Sequence, residues 1–204
     1  MVSIELIKQL REETDISLAE CKKALEESNG DIEKAKEILK KKGESVAAKK
    51  SEREVNAGLI DAYIHAGGQV GVLIKVLCET DFVARGDLFK ELIHELLLQI
   101  ASMSPIYVSE EDIEEEVIEK EIEIYKEQLA NDNKPDNIKE NIIKGKLDKF
   151  KKEVCLLSQP WVKDNSMTVQ DLINDYIAKL GENIKVKEFV RYELWNHSVS
   201  YNDF

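Results

Sequence analysis

The stretch that decides the fold is Leu77-Cys78-Glu79-Thr80-Asp81-Phe82-Val83-Ala84. It begins at the end of the apolar run over residues 70–77 and leads into a long helical pattern. Thr80 and Asp81 both carry a short side-chain oxygen that can accept a hydrogen bond from the free N–H groups of a first helical turn. The stretch therefore predicts a corner at which a strand ends and a helix begins.

Phe82 is a large apolar side chain at this corner, and two interpretations of it stay open. In the first, Phe82 folds back under the helix as ordinary core, and periodicity alone does not decide against this. In the second, Asp81 and Phe82 form an exposed tip that enters another molecule. We refer to this pair as the Asp81–Phe82 tip.

The strands on either side of the corner predict a small sheet. Residues 59–65 and 70–78 are strand-like and flank the turn Ala66-Gly67-Gly68-Gln69, which is typical of a β-hairpin. Residues 184–194 alternate between apolar and polar side chains, so we expect them to add a third strand. After Phe82, an apolar stripe runs from Leu88 to Ile100 before Pro105 ends the helix. A helix layered on an antiparallel sheet predicts an α+β core.

The N-terminal residues predict three short helices. Ser3 can cap the first, the Ser17-Leu18-Ala19-Glu20 capping box opens the second, and Asp31 follows Asn29-Gly30 to cap the third. We expect Gly43 to end the third helix. Three helices in so few residues predict a small bundle with a thin core.

We expect four segments along the chain. Residues 1–43 form the helical bundle, 44–55 a polar, partly helical linker that lets the bundle move, 56–195 the α+β core, and 196–204 a tail without an assigned structure. Within the core, two amphipathic patterns over 109–157 predict an antiparallel helical hairpin, the first helix opening at a Ser109 cap. Residues 169–180 predict a further helix, with Thr168 as its cap and Gly181 as its end.

Composition excludes several classes of function. The chain has 204 residues with 29 Lys and Arg against 41 Asp and Glu, a net charge of −12. This charge argues against nucleic acid as the main partner, because phosphate binding needs clustered Lys and Arg. No apolar run reaches the ~18 residues of a membrane span, and the N-terminus lacks a signal-peptide pattern. We expect a soluble cytoplasmic protein with no direct nucleic-acid or membrane partner.

Candidate catalytic and metal-binding residues are few. Cys21, Cys78 and Cys155 are scattered without a C-x-x-C pair, so the sequence predicts neither a zinc site nor a disulfide framework, and we expect no metal and no cofactor. His65 stands at a strand end, where a turn histidine satisfied by the backbone is the expected role. Phosphate-binding loops and hydrolase motifs are missing, so no catalytic residue is assigned.

Two motifs resemble elongation factor Ts, a family of translation factors. The run from Leu10 to Leu25, with Asn29-Gly30-Asp31 after it, resembles the family's N-terminal motif, and Glu79-Thr80-Asp81-Phe82-Val83 resembles its second motif. The motifs have the family's order and spacing, and the resemblance extends to about Arg191. It corresponds to the short form of the family, which carries a single core module.

The resemblance implies that the protein promotes guanine-nucleotide exchange on elongation factor Tu and catalyses no reaction of its own. Thr80, Asp81, Phe82 and Val83 are then expected to enter the GTPase domain and loosen its Mg²⁺ and phosphate contacts. The N-terminal bundle, similar to a ubiquitin-associated domain, would contact another helix of the same domain through Arg11 and Leu18. The core would pack against a β domain of the partner.

The chain departs from the family at Asp15 and Ser17, where glycine is common, and at Ala19, where a longer apolar residue is common. We therefore expect a weaker or shifted contact between the bundle and the GTPase. Short forms can act as homodimers, so we expect a dimer. Some short members of the family link the dimer through a cysteine near the C-terminus. No cysteine follows Cys155 here, so we expect a non-covalent dimer.

Three rival functions use parts of the chain only. A ubiquitin-binding adaptor would use the bundle and leaves Thr80–Val83 without a role. A hydrolase built on Asp81 and His65 predicts turnover without a partner protein. A coiled-coil scaffold predicts that removal of residues 109–157 abolishes function, whereas substitution of Phe82 does not.

Overall fold

The computed structural model describes residues 2–14, 16–130, 132 and 134–194. Asp15 and the predicted tail over residues 196–204 lie outside the described residues, and so does Trp195. The helices are α1 Ile4–Thr14, α2 Leu18–Glu27, α3 Ile32–Lys50, α4 Asp81–Arg85, α5 Asp87–Met103, α6 Glu115–Gln128, α7 Asp136–Val154 and α8 Val169–Leu180. The strands are β1 Ala57–Ile64, β2 Val70–Cys78, β3 Pro160–Trp161, β4 Asp164–Thr168 and β5 Ile184–Glu193.

The predicted three-stranded antiparallel sheet is confirmed, with the strand order β1-β2-β5. The β1–β2 turn closes where the N–H of His65 donates to the carbonyl of Val70 at 2.9 Å. Gly67 and Gly68 both have positive φ, 91° and 69°, a conformation that tight hairpin turns need and that glycine adopts most easily. The α+β fold class is therefore confirmed.

A second small sheet was missed. Strands β3 and β4 pair antiparallel with an irregular register between Pro160 and Trp161. Neither strand carries a clear alternation of apolar and polar residues, and β3 has only two residues, so the pattern gave no signal.

The N-terminal helices pack against one another around a small core, as predicted. This core consists of Leu10, Cys21, Ala24, Leu25, Ala35 and Leu39. The side chain of Ser3 accepts a hydrogen bond from the N–H of Leu6, that of Ser17 from Glu20 and that of Asp31 from Lys34, so all three predicted caps are present. Asn29 and Gly30 have positive φ and make the turn between α2 and α3.

The predicted end of the third helix at Gly43 is wrong. Helix α3 continues through Gly43 to Lys50, and Gly43 and Ala47 are buried on it. A methyl group at Gly43 would lie 3.6 Å from the Cβ of Ala178 in α8. Gly43 therefore allows a close approach of α8 to α3 rather than ending the helix. The domain boundaries, including the linker over residues 44–55, stay predictions.

The helical pattern after Thr80 is interrupted. Gly86 separates the single turn of α4 from α5, and its N–H donates to the carbonyl of Val83 at 2.9 Å. Helix α5 then carries the predicted apolar stripe, in which Phe89, Leu92, Ile93, Leu96 and Ile100 are fully buried. The stripe is therefore core, and the short helix before it is a separate element.

The chain divides into two compact units. The first comprises Met1–Ile60, Lys75–His94 and Asp171–Lys187, and the second comprises Asp61–Ile74, Glu95–Gln170 and Glu188–Phe204. The first unit thus includes the bundle, α4 and α8 from Asp171 onward. The second includes the helical hairpin of α6 and α7.

Helices α6 and α7 contact each other and form the predicted hairpin. The ammonium group of Lys146 in α7 donates to Gln128 in α6 and lies 5.2 Å from the ring centre of Tyr125. The predicted opening of the first helix at Ser109 is wrong, because Ser109 and Asp112 form a capping box on a 3₁₀ turn and α6 begins only at Glu115. Across the described residues, no helix is both long and apolar enough to cross a bilayer.

Candidate functional site

The corner at Thr80 is built by an N-cap. The backbone of Thr80 is extended, and its hydroxyl oxygen accepts a hydrogen bond from the N–H of Val83 at 3.4 Å. Its carbonyl accepts from the N–H of Ala84 at 3.1 Å, which closes the single turn of α4. A hydroxyl oxygen at the N-cap accepts from backbone N–H groups that the first helical turn leaves unpaired. Thr80 therefore allows a helix to start directly after β2.

Helix α4 has one buried and one exposed side. Val83 and Ala84 are buried, whereas the side chain of Phe82 is 88% exposed. The interpretation of Phe82 as core is therefore wrong. The Asp81–Phe82 tip is exposed to solvent, and the buried side chain of Val83 packs α4 against the protein interior.

Asp81 is also exposed, and its carboxylate lies 3.8 Å from the guanidinium of Arg85 one turn later. Exposed pairs of this kind contribute little to stability, because water screens both charges. The pair leaves Asp81 beside Phe82 on the surface, where the carboxylate can accept hydrogen bonds from another molecule.

A carboxylate network holds the chain just before the tip. Glu182 Oε2 accepts hydrogen bonds from the backbone N–H groups of Glu79 at 3.1 Å and Thr80 at 3.0 Å. Glu182 Oε1 accepts from the hydroxyl of Thr80 at 2.6 Å. We call Glu79, Thr80, Glu182 and Asn183 the Glu182 network. It is built from residues about a hundred positions apart, so local sequence reasoning missed it.

Asn183 and the side chain of Glu79 extend the network to the segment that follows α3. The N–H of Asn183 donates to Glu79 Oε1 at 2.7 Å, and its side-chain amide donates to the carbonyls of Ser51 at 3.3 Å and Arg53 at 2.8 Å. Glu79 Oε1 also lies 3.5 Å from Arg53 Nη1. The sequence signal for these residues was only the helix end at Gly181 followed by two polar residues before a strand.

The predicted residues of the bundle lie on its surface. Arg11 is exposed near the end of α1, and Leu18 is exposed at the first position of α2. Both belong to the first unit, which also contains Thr80, Asp81, Phe82 and Val83. Their assignment as partner-binding residues stays a prediction.

The thiols of Cys78 and Cys155 are unsuited to nucleophilic catalysis. Burial raises the pKa of the Cys78 thiol, and the negative charge of Glu182 adds to this effect. Burial also raises the pKa of Cys155 to about 11. Since the thiolate is the reactive form, neither cysteine is activated. His65 is the histidine of the hydrolase hypothesis, and its Nδ1 lies 2.9 Å from the hydroxyl oxygen of Tyr63.

Comparison with known proteins gives one family. The model of the family described as "Elongation factor TS" matches residues 3–196. The chain is 57% identical to elongation factor Ts of Coprothermobacter proteolyticus over 193 residues, which cover 95% of this chain and 98% of the relative. It is 54% identical to elongation factor Ts of Thermotoga maritima, with 95% and 96% covered. It is 52% identical to that of Thermoanaerobacter pseudethanolicus, with 95% of each chain covered. The chain therefore belongs to the elongation factor Ts family.

Proposed function

We propose that this protein is the guanine-nucleotide exchange factor of elongation factor Tu. It binds the GDP-bound GTPase, promotes the release of GDP and Mg²⁺, and so allows GTP to bind for the next round of translation elongation. The single observation that carries the proposal is the exposed Asp81–Phe82 tip within the family's second motif. The protein needs no catalytic residue for this role, because exchange makes and breaks no covalent bond.

The thermodynamics of exchange define what the tip must do. An exchange factor must bind the nucleotide-free GTPase more tightly than the loaded one, and the coupling is reciprocal, so nucleotide and Mg²⁺ weaken the factor as much as the factor weakens them. An apolar side chain that is buried only when a pocket opens in the GTPase meets this requirement. Phe82 is such a side chain, because it is exposed in the free protein.

Asp81 contributes a negative charge beside Phe82. When the tip enters the GTPase near its Mg²⁺ site, this carboxylate is repelled by the phosphates of bound GDP and competes for groups that hold the metal. The loaded state is then disfavoured relative to the nucleotide-free state. The charge and the apolar ring therefore act in the same direction.

The bundle gives a second contact with the GTPase. Arg11 and Leu18 are exposed on α1 and α2, which supports their use as a docking surface. A contact far from the nucleotide supplies affinity in both states, and the tip then supplies the difference between the states. This division lets the factor bind loaded elongation factor Tu before it opens the nucleotide site.

The protein acts as a homodimer in this proposal, and its open sheet face is the surface that suits a second copy. The face consists of Ile64, Leu73, Tyr192 and Leu194, whose exposed fractions lie between 48% and 73%. They line a shallow groove of about 380 Å³. Because the chain carries a net charge of −12, two copies repel each other unless they meet through a patch with little charge. The groove is mostly apolar, with Glu193 as the one charged residue among the described residues of its lining, and the same patch on two copies makes an isologous interface.

The experiment that tests the function is release of a fluorescent GDP analogue from elongation factor Tu of the same source under excess GDP. We expect the protein to accelerate release strongly and in a saturable manner. Unchanged release at saturating protein would overturn the proposal. An adaptor or scaffold of the kinds considered above would give that negative result.

A further inference from the structure

Glu182 occupies an unusual place, because its single carboxylate accepts three hydrogen bonds from two consecutive residues. These bonds come from the N–H of Glu79 at 3.1 Å, the N–H of Thr80 at 3.0 Å and the hydroxyl of Thr80 at 2.6 Å. Both N–H groups lie after the last residue of β2 and before the first residue of α4. Glu182 thus provides the acceptor at the point where neither the strand nor the helix does.

The hydroxyl of Thr80 links Glu182 to the tip itself. It donates to Glu182 and accepts from the N–H of Val83, so its orientation is fixed from both sides. A hydrogen bond to an ionised carboxylate is shorter and stronger than one between neutral groups. The cap that starts α4, and with it the direction in which Phe82 points, therefore depends on Glu182.

Glu182 is in turn held by its neighbours. Gly181 has a φ of 76°, and its carbonyl accepts a hydrogen bond from the ammonium group of Lys50 at the end of α3. Asn183 is only 2% exposed and donates its side-chain amide to the carbonyls of Ser51 and Arg53. The turn over residues 181–183 is thus attached to the segment that follows the bundle's longest helix.

We propose that Glu182 is a positioning residue for nucleotide exchange, which holds the Asp81–Phe82 tip in the orientation that enters the GTPase. The inference rests on the proposed function of the tip. An ordered backbone at Glu79 and Thr80 lowers the conformational entropy that is lost when the tip is inserted, because this segment is already fixed in the free protein. Glu182 has no contact with the partner in this role and acts only through Thr80 and the start of α4.

The first test measures, in the free protein, whether Glu182 protects the backbone amides of Glu79 and Thr80. We expect Glu182→Ala to raise the amide hydrogen exchange rates of Glu79 and Thr80 by about tenfold or more, while the amide of Val76 inside β2 changes little. Glu182→Gln keeps one acceptor oxygen and should give an intermediate rate. Glu91→Ala, which removes an exposed carboxylate from α5, is the control. Unchanged exchange at Glu79 and Thr80 in Glu182→Ala would overturn the proposal.

The second test is a double-mutant cycle on release of fluorescent GDP from elongation factor Tu. We expect Glu182→Ala to lower the maximal release rate by about tenfold, with partial rescue in Glu182→Gln, but to change it less than about twofold when Phe82 is already alanine. An equal loss in both backgrounds would show that Glu182 acts elsewhere and would overturn the proposal. If Glu182→Ala does not fold, Glu182→Gln is carried through the same cycle.

The two tests separate this inference from the function on which it rests. Failure of the wild-type protein to release GDP overturns the proposed function, whereas the amide measurement still decides whether Glu182 orders the root of the tip. Acceleration by the wild type with unchanged amides in Glu182→Ala leaves the function intact and overturns the positioning role.

Discussion

The Asp81–Phe82 tip and the open sheet face both expose apolar side chains, but they do so in opposite ways. The tip presents one aromatic ring, 88% exposed, on a single helical turn whose root is held by Glu182. The sheet face spreads Ile64, Leu73, Tyr192 and Leu194 over a shallow groove. A narrow, anchored projection suits entry into a pocket, whereas a broad, mostly apolar face suits contact with another flat surface.

The two regions also differ in how the free energy of binding is distributed over their side chains. In the proposed complex, most of the binding free energy at the tip comes from the Phe82 ring, which is exposed in the free protein, so a single substitution removes it. On the face, several side chains contribute smaller amounts, and each is counted twice in a symmetric dimer. Substitutions in the two regions should therefore affect different measurements.

The largest effect is expected from Phe82→Ala. Burying a phenylalanine side chain contributes about 1.5–3 kcal/mol, and removal of this term from the nucleotide-free complex corresponds to about a 10- to 100-fold slower release of GDP. Release of fluorescent GDP from elongation factor Tu measures it. Because the ring is exposed, the melting temperature should stay close to that of the wild type.

Ile138→Ala is the matched control, since it removes an exposed apolar side chain from α7 in the other unit. We expect wild-type release rates from it. Equal release of GDP by Phe82→Ala and the wild type at saturating protein would contradict a special role of the tip in exchange.

A smaller effect is expected from Ile64→Ala on the sheet face. Loss of about 1 kcal/mol of apolar burial per copy, doubled by symmetry, weakens a dimer by about 30-fold. Sedimentation equilibrium at micromolar concentration measures the association, with Ile124→Ala on α6 as the control. A monomeric wild-type protein under these conditions, or an unchanged association constant in Ile64→Ala, would contradict dimerisation through this face.

The sequence was sufficient for the elements whose signals are local. The Thr80 cap, the Gly67-Gly68 turn and the third strand follow from side-chain chemistry and alternation, and all three are present. The interpretation of Phe82 stayed open because exposure depends on what lies under α4. Val83 and Ala84 are the buried residues of α4, and helical periodicity alone cannot decide whether they or Phe82 face the interior.

The missed features depend on contacts between distant parts of the chain. Glu182 becomes important only because the fold brings it to the end of β2, about a hundred residues earlier in the sequence. Gly43 resembles a helix end, yet the approach of Ala178 makes a small residue suitable in the middle of α3. Local propensity gave the wrong answer there because tertiary packing overrides it.

Gly43→Ala tests the packing of α3 against α8 and is expected to have a smaller, stabilising effect. The new methyl group would sit 3.6 Å from Ala178 Cβ and 3.8 Å from Asp175 Oδ1, which are ordinary contacts. Replacement of glycine by alanine inside a helix stabilises it by about 0.5–1 kcal/mol, which raises the melting temperature by about 2 °C. Calorimetry measures the change.

Gly145→Ala on α7 is the matched control, because a methyl group there would have no neighbour within 4 Å. It reports helix propensity alone, whereas Gly43→Ala adds contact with α8. We expect Gly43→Ala to leave GDP release and dimerisation unchanged. A lowered melting temperature in Gly43→Ala would mean that α3 and α8 tolerate no additional atom between them.

Asp175 on α8 gives the smallest expected effect, through pH. Burial raises the pKa of its carboxyl above the ordinary value of 3.8, and the negative charges of Asp171 and Glu44 add to this. The positive charges of Lys40 and Lys179 oppose the shift without cancelling it. The folded protein therefore binds this proton more tightly than the unfolded chain does.

The sign of the pH dependence follows from that difference. Because the folded state holds more protons over this range, the free energy of unfolding decreases as pH rises from 3.8 through the raised pKa of Asp175. Asp175→Asn removes the cost of the buried charge, so its melting temperature should exceed that of the wild type at pH 7, and this advantage should shrink toward pH 4. Glu91→Gln on α5 controls for the loss of one carboxylate. An advantage of Asp175→Asn that is equal at both pH values would show that hydrogen bonding, rather than the buried charge beside α3, sets the difference.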